Sequence, residues 1–110
     1  MNVRFARETY DYLEELVAVL FQKEYFSWLD TSEQYVRELV DDIQSSLPKR
    51  PHKRAPERFA RYGEDLHYAS FVKNKRTTWY AFFTKYEAES EDTIYLVRYI
   101  ANNHTVAQHL

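Results

Sequence analysis

Between residues 9 and 24, Leu13, Leu16, Val17, Leu20 and Phe21 recur at i, i+3 and i+4, which predicts an amphipathic helix. Tyr12, Val19 and Phe26 form a second stripe, which serves either a broad core-facing surface or a partner site. A second helix is expected over residues 30–47, with Val36, Leu39, Val40, Ile43 and Leu47 on one side. Asp30 with Glu33, or Thr31 with Gln34, has the form of a capping box, and Pro48 cannot continue the helix. Two such helices joined by a short loop predict a helical hairpin.

After Gly63 the period changes from helical to strand-like. Strands are expected over residues 66–73, 76–86 and 93–101, with Asn74-Lys75 turning the first pair into a hairpin and the acidic 87–92 stretch joining the second. Residues 2–6 are a candidate edge strand. The expected fold class is α+β: one domain over residues 1–110, with an N-terminal helical hairpin laid on one face of an antiparallel sheet of three to four strands.

The 76–86 run carries two different faces. Thr77, Trp79, Ala81 and Phe83 are suited to sealing a core. Arg76, Thr78, Tyr80, Phe82 and Thr84 alternate with them and set a guanidinium, a hydroxyl and a phenol in a row. Lys73 and Arg98 are expected to extend this row across the sheet. A guanidinium holds a phosphate through paired hydrogen bonds, and a tyrosine stacks on a base or donates a proton. The other reading of the row is a half-exposed pleat, where Thr and Tyr simply pack well.

Composition narrows the function. In 110 residues, 17% are aromatic, which argues against disorder, and no residue is cysteine, which removes disulfides, thiolate metal sites and a thiol nucleophile. One glycine excludes a glycine-rich phosphate loop. No signal peptide or membrane span is recognisable, so a soluble cytoplasmic protein is expected. The net charge of -2 conceals a strong asymmetry, because residues 1–48 hold ten acidic and four basic side chains. Residues 49–61 hold Lys49, Arg50, Lys53, Arg54, Arg58 and Arg61 against Glu57 alone. This basic connection reads either as a phosphate-contacting segment or as a proline-stiffened solvated loop.

His104 follows Asn102-Asn103 at the end of the last strand. A histidine there either exchanges protons near neutral pH or sits in a turn. The dispersed His52, His67, His104 and His109 make no metal motif, and no serine sits in a nucleophile elbow. No cofactor is expected.

Two helices, a proline-containing basic connection and antiparallel strands ending in a histidine resemble the RelE/ParE superfamily of toxins from bacterial type II toxin–antitoxin pairs. The strings Lys75-Arg76-Thr77-Thr78-Trp79-Tyr80-Ala81-Phe82-Phe83 and Tyr99-Ile100-Ala101-Asn102-Asn103-His104 are similar to a subgroup of that superfamily. The resemblance implies a curved sheet and a cognate antitoxin that wraps the toxin; the sequence leaves monomer and homodimer both open. In the RelE type it implies metal-independent cleavage of mRNA on the ribosome, by attack of a ribose 2′-hydroxyl on the adjoining phosphate. Arg76 would then stabilise the developing charge, Tyr80 or His104 would move protons, and Lys73 and Arg61 would position the backbone. Lys49, Arg50, Lys53, Arg54, Arg58 and Arg98 complete the expected nucleic-acid contacts. In the ParE type the same scaffold blocks DNA gyrase without nuclease residues. The chain departs from many nucleases of the group after His104, where Thr-Val-Ala-Gln-His-Leu supplies no arginine, lysine or tyrosine. A protein-blocking toxin, or a member that keeps the fold without toxicity, therefore stands beside the nuclease.

Overall fold

The computed structural model describes residues 3–22, 29–73, 75–87 and 92–103, with side chains for all of these except 20–22, 29–31. The expected capping box and the Phe26 end of the second stripe fall outside these side chains. In chain order the elements are β1 (Val3–Phe5), α1 (Arg7–Gln22), α2 (Leu29–Ser46), a 3-10 turn (Leu47–Lys49), β2 (Lys53–Arg54), a 3-10 helix (Glu57–Tyr62), β3 (His67–Val72), β4 (Thr78–Glu87) and β5 (Thr93–Asn102). The class is α+β, as the patterning predicts.

The sheet has five strands in the order β1-β5-β4-β3-β2, rather than the expected three to four. It is also mixed. β3, β4 and β5 form the expected antiparallel meander, and β2 adds an antiparallel edge through Lys53 opposite Tyr68 and Arg54 opposite His67. β1 lies parallel to β5, with Val3 opposite Tyr95 and Phe5 opposite Val97. A parallel partner needs a long crossover, and the helices together with the rest of the sheet supply it.

Both helices pack against one sheet face. Leu13 and Leu16 of α1 and Val36, Leu39 and Ile43 of α2 meet Phe71, Trp79, Ala81, Phe83, Val97 and Ile100 in one apolar cluster. Burying each of the larger of these side chains is worth ~1.5–3 kcal/mol, which gives the alternation of β4 its force. Two polar side chains inside this layer find partners, whereas the buried Ser32 Oγ has none among the described residues. The Thr9 hydroxyl donates to the Val97 carbonyl at 3.0 Å, and Trp79 Nε1 donates to the Tyr35 hydroxyl at 2.8 Å.

The second face is not open along its whole length. The 3-10 helix crosses one end of it, stacking Phe59 on Phe82 at 4.8 Å between ring centroids and Tyr62 on Tyr99 at 4.0 Å. Phe59, Leu66, Tyr68, Phe82 and Ala101 form a smaller apolar cluster there. Phe82 and Phe83 point to opposite faces and are both fully buried. The basic connection is thus partly a core element, held by the two aromatic residues set among its charges. At the same level β5 carries a bulge: Phe82 pairs with Tyr99 and Phe83 with Val97, so Arg98 has no opposite residue.

Candidate functional site

The other end of the second face remains accessible. The ladder sets Ser70 of β3 opposite Tyr80 and Val72 opposite Thr78, with Ala101 of β5 on the far side of Tyr80. Ser70 and Val72 are exposed, whereas Thr78 and Tyr80 are half-buried. Tyr80 meets the Tyr68 ring edge-on at 5.9 Å, which fixes its plane while its side chain stays partly in solvent. Beyond the strands the turn is closed by the Lys73 N–H donating to the Thr77 carbonyl at 3.0 Å, and Lys75 and Arg76 are exposed at its tip.

Asn103 ties the end of β5 to this tip. Its Oδ1 accepts the Thr78 N–H at 3.0 Å, and its Nδ2 donates to the Arg76 carbonyl at 3.1 Å. The side chain stands in for one more rung of the ladder. The backbone of Arg76 and Thr78 and the residue before His104 are therefore held together at the end of β4 that carries Tyr80. His104 itself lies outside the described residues.

The other sequence-selected cations do not all join them. Lys73 lies on the helical side, its Nζ 3.7 Å from Glu38 and 4.9 Å from the Tyr35 ring centroid, so it does not extend the Arg76–Tyr80 row. The strand ends at Val72, and alternation no longer dictates the direction of the next side chain. Arg50 is a clamp. Its Nε donates to Ser46 Oγ at 2.9 Å, one terminal nitrogen to the Ser70 carbonyl at 3.0 Å, and the other to Asp42 at 3.2 Å, with the guanidinium over the Phe71 ring. Arg54 pairs loosely with Asp65 at 3.6 Å on the exposed β2 edge, beside Lys53. Lys49 and Arg58 are exposed on the 3-10 segments. Arg98, pushed out by the bulge, donates to the Tyr86 hydroxyl at 2.8 Å on the covered part of the face.

A cleft that the sequence reading did not single out opens beside Tyr99. It has a volume of about 450 Å³ and is lined by Glu8, Thr9 and Tyr12 of α1, Arg61 and Tyr62 of the 3-10 helix, and Arg98, Tyr99 and Ile100 of β5. β1 pairs with β5 only as far as Val97, and the cleft lies where that pairing has ended. Burial pushes the Tyr99 phenol up to about 12, helped by the nearby Tyr62 and Tyr12 phenols and a hydrogen bond with Tyr62, against a smaller opposing pull from Arg61. Burial also raises Tyr12. Arg61 sits with its guanidinium carbon 4.9 Å from the Tyr62 ring centroid. Tyr12 and Tyr99 therefore keep their hydroxyl protons, in a cleft that Arg61 also lines. Ten tyrosines in 110 residues were the available signal, but positions 12, 62 and 99 share no local pattern.

Among the described residues, no three histidine or carboxylate side chains converge as metal ligands would. His52 donates to the Leu47 carbonyl at 2.8 Å and packs edge-on against Phe83, so it is a packing residue. Comparison of the chain with protein-family models, curated proteins and solved structures found no match.

Proposed function

We propose that the protein is the toxin of a toxin–antitoxin pair, a RelE-like endoribonuclease that cuts mRNA on the ribosome in the cytoplasm and is silenced by a cognate antitoxin. The supporting observation is the Asn103 clamp, which holds the residue before His104 against the backbone of Arg76 and Thr78, at the end of the face that carries Tyr80. The sequence resemblance supplies the reaction. A ribose 2′-oxygen forms a bond to the adjoining phosphorus as the bond to the 5′-oxygen breaks. His104 or Tyr80 takes the 2′-hydroxyl proton, and the other of the two returns a proton to the leaving oxygen. Arg76 stabilises the charge that builds on the phosphate oxygens, a role suited to a preplaced guanidinium. The products are a 2′,3′-cyclic phosphate and a 5′-hydroxyl.

The test is incubation of purified protein with ribosomes halted on a defined mRNA, with the 5′ ends of the products mapped. Cleavage lost in both Arg76→Ala and Tyr80→Phe supports the assignment; intact mRNA refutes it.

One observation favours a second reading. Val72, 68% exposed, stands opposite Thr78 on the accessible end, and an apolar side chain there suits a protein partner better than a phosphate backbone. A ParE-like toxin that blocks DNA gyrase would inhibit supercoiling while leaving transcripts whole.

A further inference from the structure

The resemblance implies nucleic-acid contacts for Arg61 and Arg98, but the cleft between α1, the 3-10 helix and β5 rests on its own lining and not on the cleavage chemistry. Its lining includes two arginines, Arg61 and Arg98, and one carboxylate residue, Glu8, with the Arg98 guanidinium turned to Tyr86. An anion is therefore favoured over a cation or a neutral ligand. Tyr62 and Tyr99 stack with 4.0 Å between ring centroids, and Tyr12 lines the same cleft. That gathers neutral hydroxyl donors beside Arg61, the arrangement that receives a phosphate or carboxylate.

The rest of the wall asks for more than an ion. The Tyr12 ring offers apolar surface, and the exposed Glu8 offers an acceptor for a ligand's N–H or O–H groups. The Tyr62–Tyr99 pair is already closed at 4.0 Å and nearly parallel, so a ligand ring does not insert between them but lies along their edge. At about 450 Å³ the space falls in the range of small-molecule clefts and far exceeds what a bare oxyanion fills.

We infer that this cleft is a nucleotide site: Arg61 and the Tyr62 and Tyr99 hydroxyls take the phosphate, the Tyr12 ring faces the base, and Glu8 accepts a hydrogen bond from the base or sugar. The same chemistry is presented by a free nucleoside monophosphate and by one unit of a single-stranded RNA.

Isothermal titration of the full chain with AMP, adenosine, orthophosphate and a 5′-phosphorylated tetraribonucleotide tests the assignment and separates the two sources. Saturable binding of AMP is expected, with adenosine and orthophosphate each at least about tenfold weaker, as loss of one charge-assisted contact or of the ring surface implies. Tighter binding of the tetranucleotide assigns the cleft to a strand, and tighter binding of AMP assigns it to a free nucleotide. Arg61→Ala, a change at an exposed side chain, is expected to weaken the better ligand about tenfold or more without changing the urea midpoint. The site assignment is overturned if neither AMP nor the tetranucleotide binds, if orthophosphate or adenosine binds as well as AMP, or if Arg61→Ala leaves affinity unchanged. None of these outcomes depends on whether mRNA is cut.

Discussion

Asn103 accepts the Thr78 N–H at 3.0 Å through its side chain, so the last described residue of the chain acts as a rung for the first residue of β4. The same amide donates to the Arg76 carbonyl, and both bonds are lost together in Asn103→Ala. We expect a loss of ~1–2 kcal/mol, since the two backbone groups lose their partner at a partly exposed strand end. Urea denaturation measures it. Asn103→Asp keeps the acceptor for Thr78 but sets a carboxylate oxygen against the Arg76 carbonyl, and it should be no more stable than Asn103→Ala. A substitution effect on mRNA cleavage larger than the stability loss would indicate that the clamp also positions the neighbouring histidine.

Gly63 closes the 3-10 helix with φ at +153°, and a Cβ placed there would lie 2.8 Å from Arg98 Cδ and 3.3 Å from Thr84 Oγ1. Replacing a glycine with alanine can stabilise through the unfolded chain by ~0.4–1 kcal/mol where the backbone permits it. Here the backbone region and the contact both forbid it. Gly63→Ala should therefore destabilise by about 2 kcal/mol or more, read as a lower urea midpoint. A neutral or stabilising result would show that Arg98 moves aside freely.

Arg50 joins α2, the following 3-10 turn and β3 through Asp42, Ser46 and the Ser70 carbonyl. Removing it breaks several bonds at a partly buried position, so Arg50→Ala should cost ~1.5–3 kcal/mol. Arg50→Lys should recover little, because an ammonium cannot reproduce the fork or the flat contact with Phe71. Lys49→Ala, at an exposed neighbour, should change stability by less than about 0.5 kcal/mol. Chemical denaturation of the three variants decides between a clamp and an unused cation.

The Tyr99 phenol ionises at about 12 in the folded chain, chiefly through burial and then through Tyr62, against 10.0 in the unfolded chain. The folded state therefore holds this proton more tightly. The associated stability is fully present below pH 10.0 and is lost as pH rises towards about 12. Urea midpoints measured across that window should fall more steeply for the natural sequence than for Tyr99→Phe. Parallel curves would mean that the phenol is as well solvated as in the unfolded chain.

The alternation of Trp79, Ala81 and Phe83 made the helix-facing side of β4 legible, because apolar residues recur at every second position there. The burial of its other side was hidden. Phe59 and Leu66, which cover Phe82, sit in a stretch whose charges and prolines dominate any local pattern. The parallel β1 is only three residues long, too short to show a period of its own. Alternation also misled at Lys73, which follows the last strand residue and turns to α2, and it had no means of locating the bulge that sends Arg98 to Tyr86. The place of Tyr80 opposite Ser70 on the accessible face was readable because it lies within β4. The Tyr12–Tyr62–Tyr99 cleft was not, since only the tertiary fold brings those positions together.

The most direct measurement is single-turnover cleavage of an mRNA held on ribosomes, comparing an all-ribose transcript with one carrying a single 2′-deoxynucleotide at the mapped cut. The account predicts a fragment ending in a 2′,3′-cyclic phosphate from the first transcript, none at that position from the second, and loss of the product in Arg76→Ala. Cleavage that persists at the deoxy position, or no cleavage of either transcript by folded protein, would contradict it.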